Sequence, residues 1–195
     1  MTVAKSNRKQ EILEAFARML EAQPGARITT ANLAKQVGVS EAALYRHFPS
    51  KAKMLEGLIE FIEESLFPRV HRIVSEAPTT QEKCRQILSL LLTFAERNPG
   101  FARLFIGDAL QGETERLRAR MRQLFDRLET QLRQLLREYA ATRVPAPRLS
   151  ASHAANLLLA ATEGRINQFV RSEFRALPTV GWEDQWAALE TAAFG

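Results

Sequence analysis

The stretch from Ile28 to Lys53 constrains the fold most, because it stops and restarts a helix within a few residues and so fixes which side chains can face inward. Thr29 or Thr30 can cap a first short helix that carries Leu33, Ala34 and Val37 on one face, since residues three and four apart share a face. Gly38 tolerates the positive φ that ends a helix. Val39 can then pack inward, and Ser40 can cap the next helix, with Glu41 favoured in its first turn. That second helix runs from Glu41 to about His47, ahead of Pro49, with Leu44 and Phe48 as inward anchors four apart. Glu41, Ala42, Tyr45 and Arg46 consequently point away from the core.

Two short helices joined by a tight Gly-containing turn make either a helix-turn-helix, whose second helix enters a DNA major groove, or an ordinary helical hairpin within a bundle. The outward chemistry favours the first. Arg46, His47, Lys51 and Lys53 cluster at and just beyond the second helix, with Tyr45 as a further donor, so this side suits phosphate. Charge along the chain agrees: residues 1–53 hold nine Lys/Arg against four Asp/Glu, while residues 54–195 hold eighteen of each. The whole net charge of +5 therefore sits in the first 53 residues. A basic N-terminal part beside a neutral body reads as a nucleic-acid module joined to a partner-binding or dimerisation module. The expected domains are 1–53 for DNA and 54–195 for dimerisation and partner binding.

From Thr29 to Lys51 the pattern T-x-x-x-L-A-x-x-x-G-V-S-x-x-x-L-Y-x-H-F-x-x-K resembles the helix-turn-helix of TetR-type regulators. The resemblance implies an all-α homodimer of about nine helices per chain, a three-helix DNA-binding head and a C-terminal helical bundle. With the residues read above, the candidate DNA-contacting set is Thr29, Thr30, Ser40, Glu41, Ala42, Tyr45, Arg46, His47, Lys51 and Lys53.

The remaining chain reads as helices. Residues 1–7 are polar, with Lys5, Arg8 and Lys9 available as a basic arm; Ile12, Phe16 and Leu20 then form one stripe of a helix from about Asn7 to Ala22, ended by Gln23, Pro24 and Gly25. Ser50 can cap a helix from Lys51 to about Val74, in which Pro68 predicts a kink or break near Leu66 and Phe67. Thr79 and Glu82 fit a capping box for a helix reaching about Asn98, nearly apolar all round in its middle. A short helix is expected over 101–110, a long amphipathic one from Glu113 to about Ala141, and another from Ser150 to about Arg175. Small and apolar residues on several faces of that last helix, with the closing helix from Trp182 to Phe194, mark the candidate dimer interface.

Catalytic signatures are absent. The sequence holds no GxSxG, GxGxxG or GxxxxGK[ST], and His47, His71 and His153 stand in separate segments without metal-ligand spacing. Neither an enzyme nor a cofactor or metal is expected. The single cysteine, Cys84, lies in an apolar stretch and reads as a buried inert thiol. There is no run of eighteen apolar residues and no apolar signal core, so the cytoplasm is the expected compartment.

A closer resemblance runs through RITTANLA (27–34), VGVSEAALYRHFPSK (37–51), LIEFIE (58–63), ERNPG (96–100) and FVRSEF (169–174), and points to the nucleoid-occlusion branch of the TetR-type family. It implies a DNA-bound dimer, with one or two dimers on each palindromic site of the nucleoid, that binds the tubulin-like division protein FtsZ and prevents septum assembly over the chromosome. Of the candidate DNA-contacting set, Thr29, Tyr45, His47 and Lys51 are carried over from this branch, which the chain resembles over more of its length. Phe61, Arg69, Leu90 and Arg97 are the positions it implies for a groove taking the FtsZ C-terminal tail. An apolar groove edged by arginines suits a short segment with a hydrophobic and a carboxylate-bearing end. The alternative is a transcriptional repressor released by a small ligand, since a ligand pocket needs only a few polar groups.

Overall fold

The computed structural model describes the backbone of residues 2–22 and 28–195, with side chains from Arg8 onward. The described residues form nine α-helices and no strand: α1 (Thr2–Ala22), α2 (Thr30–Val37), α3 (Glu41–His47), α4 (Lys51–Glu76), α5 (Thr80–Arg97), α6 (Pro99–Phe105), α7 (Glu115–Ala141), α8 (Ala151–Arg171) and α9 (Trp182–Phe194). The first helix already begins at Thr2 rather than near Asn7. The turn expected at Gln23, Pro24 and Gly25 and the side chain of Lys5 lie outside the described residues.

The chain divides into two compact units, residues 1–63 with 98–121, and residues 64–97 with 122–195. In the first, α1 packs against α2, α3 and α6. Ile12 and Phe16 of α1, Leu33 of α2 and Leu44 of α3 are at most 1% exposed. Burying such a side chain contributes roughly 1.5–3 kcal/mol, so Leu44, with Phe48 just beyond, is what holds the short α3. The first half of α4 adds Met54, Leu55, Leu58, Ile59 and Ile62, all buried.

The first unit reaches beyond the boundary expected at residue 53 because α6 is fitted to α1. A Cβ added to Gly100 would lie 2.2 Å from the carbonyl oxygen of Ala17, so only glycine allows this approach. Arg103, 2% exposed, donates from Nη1 to the carbonyl of Leu20 at 2.8 Å and is paired through Nε with Asp108. A buried guanidinium thereby satisfies a carbonyl in the last turn of α1 and keeps a carboxylate partner, which a charge at that depth requires. The single helix expected over 101–110 is α6 followed by a turn at Gly107 and a 3-10 segment, Asp108–Leu110.

In the second unit α5 packs against α8 and α9, and α8 against α9. Ile87, Leu88, Leu91, Leu92, Phe94 and Ala95 of α5 are buried, as its apolar middle implied. Thr79 Oγ1 accepts from the Glu82 backbone N–H at 3.2 Å, while the Glu82 carboxylate accepts from Arg85 and Gln86. No break occurs at Leu66 and Phe67: α4 continues through Pro68. Pro68 and Glu64, whose carbonyl the proline ring leaves without a donor, are both exposed, so water can take the orphan acceptor. The helix expected to reach Arg175 ends at Arg171, because Glu173 and Phe174 adopt positive φ of 53° and 65°. The Phe174 ring turns back onto Phe169, with centroids 5.2 Å apart. Arg165 then holds the loop before α9 by donating to the carbonyls of Pro178 and Val180.

Candidate nucleic-acid interface

The turn between α2 and α3 closes as the residue types dictate. Thr29 is the cap of α2: its Oγ1 accepts from the Asn32 N–H at 3.2 Å. Gly38 takes the left-handed conformation, φ 72° and ψ 37°, and the next N–H, that of Val39, bonds back to the Ala34 carbonyl at 3.0 Å. Ser40 Oγ accepts from the Ala43 N–H at 3.2 Å and starts α3. With Leu44 and Phe48 turned in, Glu41, Ala42, Tyr45 and Arg46 are exposed on one side of α3. That is the surface a recognition helix needs.

Three residues expected to touch DNA also touch one another. Thr30 Oγ1 donates to Glu41 Oε2 at 3.0 Å and lies 3.1 Å from the Tyr45 hydroxyl. The trio braces the first turn of α2 against the outward face of α3. His47 is half-buried, and its Nδ1 is enclosed without a hydrogen-bond partner among the described residues. Arg46, at the far end of the exposed face, has no ion-pair partner among the described residues.

The two lysines assigned to phosphate are already paired. Lys51 Nζ lies 2.9 Å from Glu113, both side chains being a quarter exposed or less. Lys53 Nζ lies 2.6 Å from Glu56. Glu56 also meets Arg116 at 3.3 Å, and Arg120 bonds Glu63 at 2.7 Å. Lys53 donating to Glu56 holds that carboxyl below its ordinary value against the opposing effect of burial, and Glu63 raises Arg120. Glu113, Arg116 and Arg120 lie far along the chain from the helix-turn-helix, and nothing local in the sequence marks them as neighbours of Lys51 and Lys53. Ser50 caps α4 by accepting from the Lys53 N–H at 3.2 Å. Lys9 of α1 sits 5.7 Å from the Phe48 ring centroid, a cation next to the end of α3.

Of the four positions assigned to a partner groove, Phe61 belongs to the first unit, and Arg69, Leu90 and Arg97 to the second. Phe61 is 44% exposed, which rules it out as a plain core residue, and its ring lies against that of Phe101 at 5.6 Å. Arg69 and Arg97 are exposed and Leu90 is half-buried. In the second unit a cleft of about 610 Å³ is lined by charged and polar groups, Glu138, Arg143, Glu190, Gln81 and Thr142 among them. Such a lining differs from the apolar one that small-molecule sites favour. Cys84 is fully buried and burial pushes its thiol up to about 12. Among the described residues no helix is long and apolar enough to cross a membrane.

Residues 12–58 match the family described as bacterial regulatory proteins, tetR family, and residues 78–192 match the SlmA-like family described as tetracyclin repressor-like, C-terminal domain. The nucleoid occlusion factor SlmA of Marinomonas sp. (strain MWYL1) is 57% identical over 189 residues, covering 97% of this chain and 96% of that one. The nucleoid occlusion factor SlmA of Shewanella pealeana is 59% identical over 182 residues, 93% of this chain and 92% of its own. Among solved structures, the transcriptional regulator FadR from Bacillus subtilis in complex with stearoyl-CoA superposes with a TM-score of 0.79 at 16% identity, covering 94% of this chain and 98% of that one. The MbdR regulator from Azoarcus sp. CIB gives 0.80 at 16% identity, covering 93% and 96%. At that identity the likeness is one of fold.

Proposed function

Since this chain belongs to the tetR family of bacterial regulatory proteins and, within it, to the nucleoid occlusion factors, we propose that it binds palindromic chromosomal sites and, once there, blocks assembly of the division septum over the nucleoid. The observation that carries this reading is an exposed, braced α3 face on a helix-turn-helix, in a chain similar over nearly its whole length to proteins bearing that name. Residues 1–53 form the DNA-contacting module, and residues 54–195 dimerise and bind the partner. The protein acts by binding and not by catalysis, in the cytoplasm and on the nucleoid.

A two-fold dimer sets two α3 helices into successive major grooves about 34 Å apart. Its interface uses the exposed small-residue side of α8, where Asn156, Leu157, Ala160 and Gly164 recur at helical spacing, together with α9. The partner is FtsZ, whose C-terminal tail is taken by Phe61, Arg69, Leu90 and Arg97. A change of Arg97 to Glu is expected to leave DNA affinity intact and abolish FtsZ binding, and loss of both or of neither removes the groove assignment. The proposed function is tested by mapping the protein along the chromosome. Scattered sites that avoid the replication terminus support occlusion, whereas one or two promoter sites indicate a local repressor.

A further inference from the structure

The hydroxyl chain on α3 has only one consistent direction. A carboxylate accepts and cannot donate, so the Thr30 proton goes to Glu41 Oε2 at 3.0 Å. The Thr30 oxygen, 3.1 Å from the Tyr45 hydroxyl, must then accept the Tyr45 proton. Both hydroxyl protons are thus directed inward along the brace. What Glu41 and Tyr45 retain for the groove, one turn apart on the exposed side of α3, are lone pairs, so Tyr45 is not the phosphate donor its position suggests while the brace holds. Ala42 between them has no polar side-chain atom to offer.

From this geometry we infer that Glu41 is a specificity-determining residue that selects cytosine in each half-site by accepting from its exocyclic N4 amino group. This rests on the DNA-binding reading above and adds which base edge is read. Among the four major-groove edges, guanine presents N7 and O6 acceptors and thymine presents O4, all of which repel a carboxylate. Adenine has an amino donor but sets the N7 acceptor beside it. Cytosine alone presents a donor and no acceptor on its own edge. A carboxylate in a surface meant for phosphate also lowers affinity for every duplex, a cost that base discrimination offsets. The brace adds preorganisation: held by Thr30, Glu41 does not need to be ordered when the base arrives.

The test is selection of binding sites by the full-length protein from a randomised duplex library, repeated with Glu41→Gln, Glu41→Ala and Thr30→Val. The parent is expected to select a two-fold symmetric site with one cytosine fixed in each half. Replacing that cytosine should weaken parent binding roughly fivefold to a hundredfold, the usual range for one mismatched pair. In Glu41→Gln the position should move to adenine, whose N6 and N7 a carboxamide matches, and in Glu41→Ala it should become indifferent while every other position is kept. Thr30→Val should blur the same position. Both Glu41 variants should bind random duplex more tightly than the parent. A purely structural brace would instead lower binding to all sequences alike. If the Glu41 variants select the same base as the parent at every position, the assignment is overturned and DNA binding stands. A parent that selects no common sequence overturns the DNA-binding reading itself.

Discussion

Replacing Glu113 with Gln is expected to tighten DNA binding, although Glu113 belongs to neither helix of the helix-turn-helix. Its carboxylate occupies Lys51, one of the two lysines assigned to phosphate, at 2.9 Å. Two unit charges at that distance attract by roughly 6 kcal/mol at an effective dielectric of about 20, and desolvation and side-chain ordering cancel most of it. The side chains are 25% and 15% exposed, so the net value lies near the top of the range for surface pairs, about 1 kcal/mol. A phosphate that recruits Lys51 must displace Glu113, and Glu113→Gln removes that opposition. The gain is about fivefold per protomer, or about 25-fold for a two-fold dimer on one site. Removing any acid near DNA also helps generally, so Glu115→Gln is the control: it makes the same charge change on a residue that pairs with Arg118 instead. Titration of a labelled duplex at several salt concentrations should show Glu113→Gln tighter than Glu115→Gln. Its plot of log K against log salt should be steeper by up to about 0.9 per protomer. With Lys51→Ala in the background the advantage should vanish. Equal affinities for the two Gln variants, or an advantage that survives Lys51→Ala, would refute the reasoning.

Three further outcomes are expected. Gly100→Ala forces a Cβ to within 2.2 Å of the Ala17 carbonyl oxygen, so α6 must shift off α1. A loss of about 1–3 kcal/mol should appear as a lower urea midpoint, the usual range for overpacking. Cys84, with its thiol pushed up to about 12 by burial, should resist alkylation at pH 8 until denaturant unfolds the chain. Glu82 is held at about 2 chiefly by hydrogen bonds from Arg85 and then from Gln86, below its ordinary 4.5. A depressed carboxyl stabilises the fold above its unfolded value and loses that contribution as pH falls through the folded one. The difference in melting temperature between parent and Glu82→Gln should therefore be full at neutral pH and shrink between pH 4.5 and about 2.

The helix-turn-helix was legible because its determinants are local. Thr29, Gly38 and Ser40 each act within a few residues, and the spacing of Leu44 and Phe48 alone decides which side of α3 faces out. What the sequence hid depends on residues distant along the chain. Nothing near Arg103 in the sequence marks it as buried, because its partners are the Leu20 carbonyl, far along the chain, and Asp108, beyond the end of α6. The pairing of Lys51 with Glu113 follows from the fold of the first unit and from no motif. Of the kink or break expected at Pro68, no break occurs, because Pro68 and the Glu64 carbonyl it orphans lie on the wet side of α4. The end of α8 was missed because Glu173 and Phe174 hold a left-handed conformation usually left to glycine and asparagine.

The central claim is that DNA is the switch as well as the anchor, so that the body antagonises FtsZ only when α3 is engaged. The most direct measurement is sedimentation of FtsZ polymers with GTP in the presence of this protein, with its selected duplex, with a scrambled duplex of equal length, and with none. The account predicts loss of sedimenting polymer with the selected duplex and little change in the other two arms. Equal loss in all three arms, or no loss in any, would contradict it.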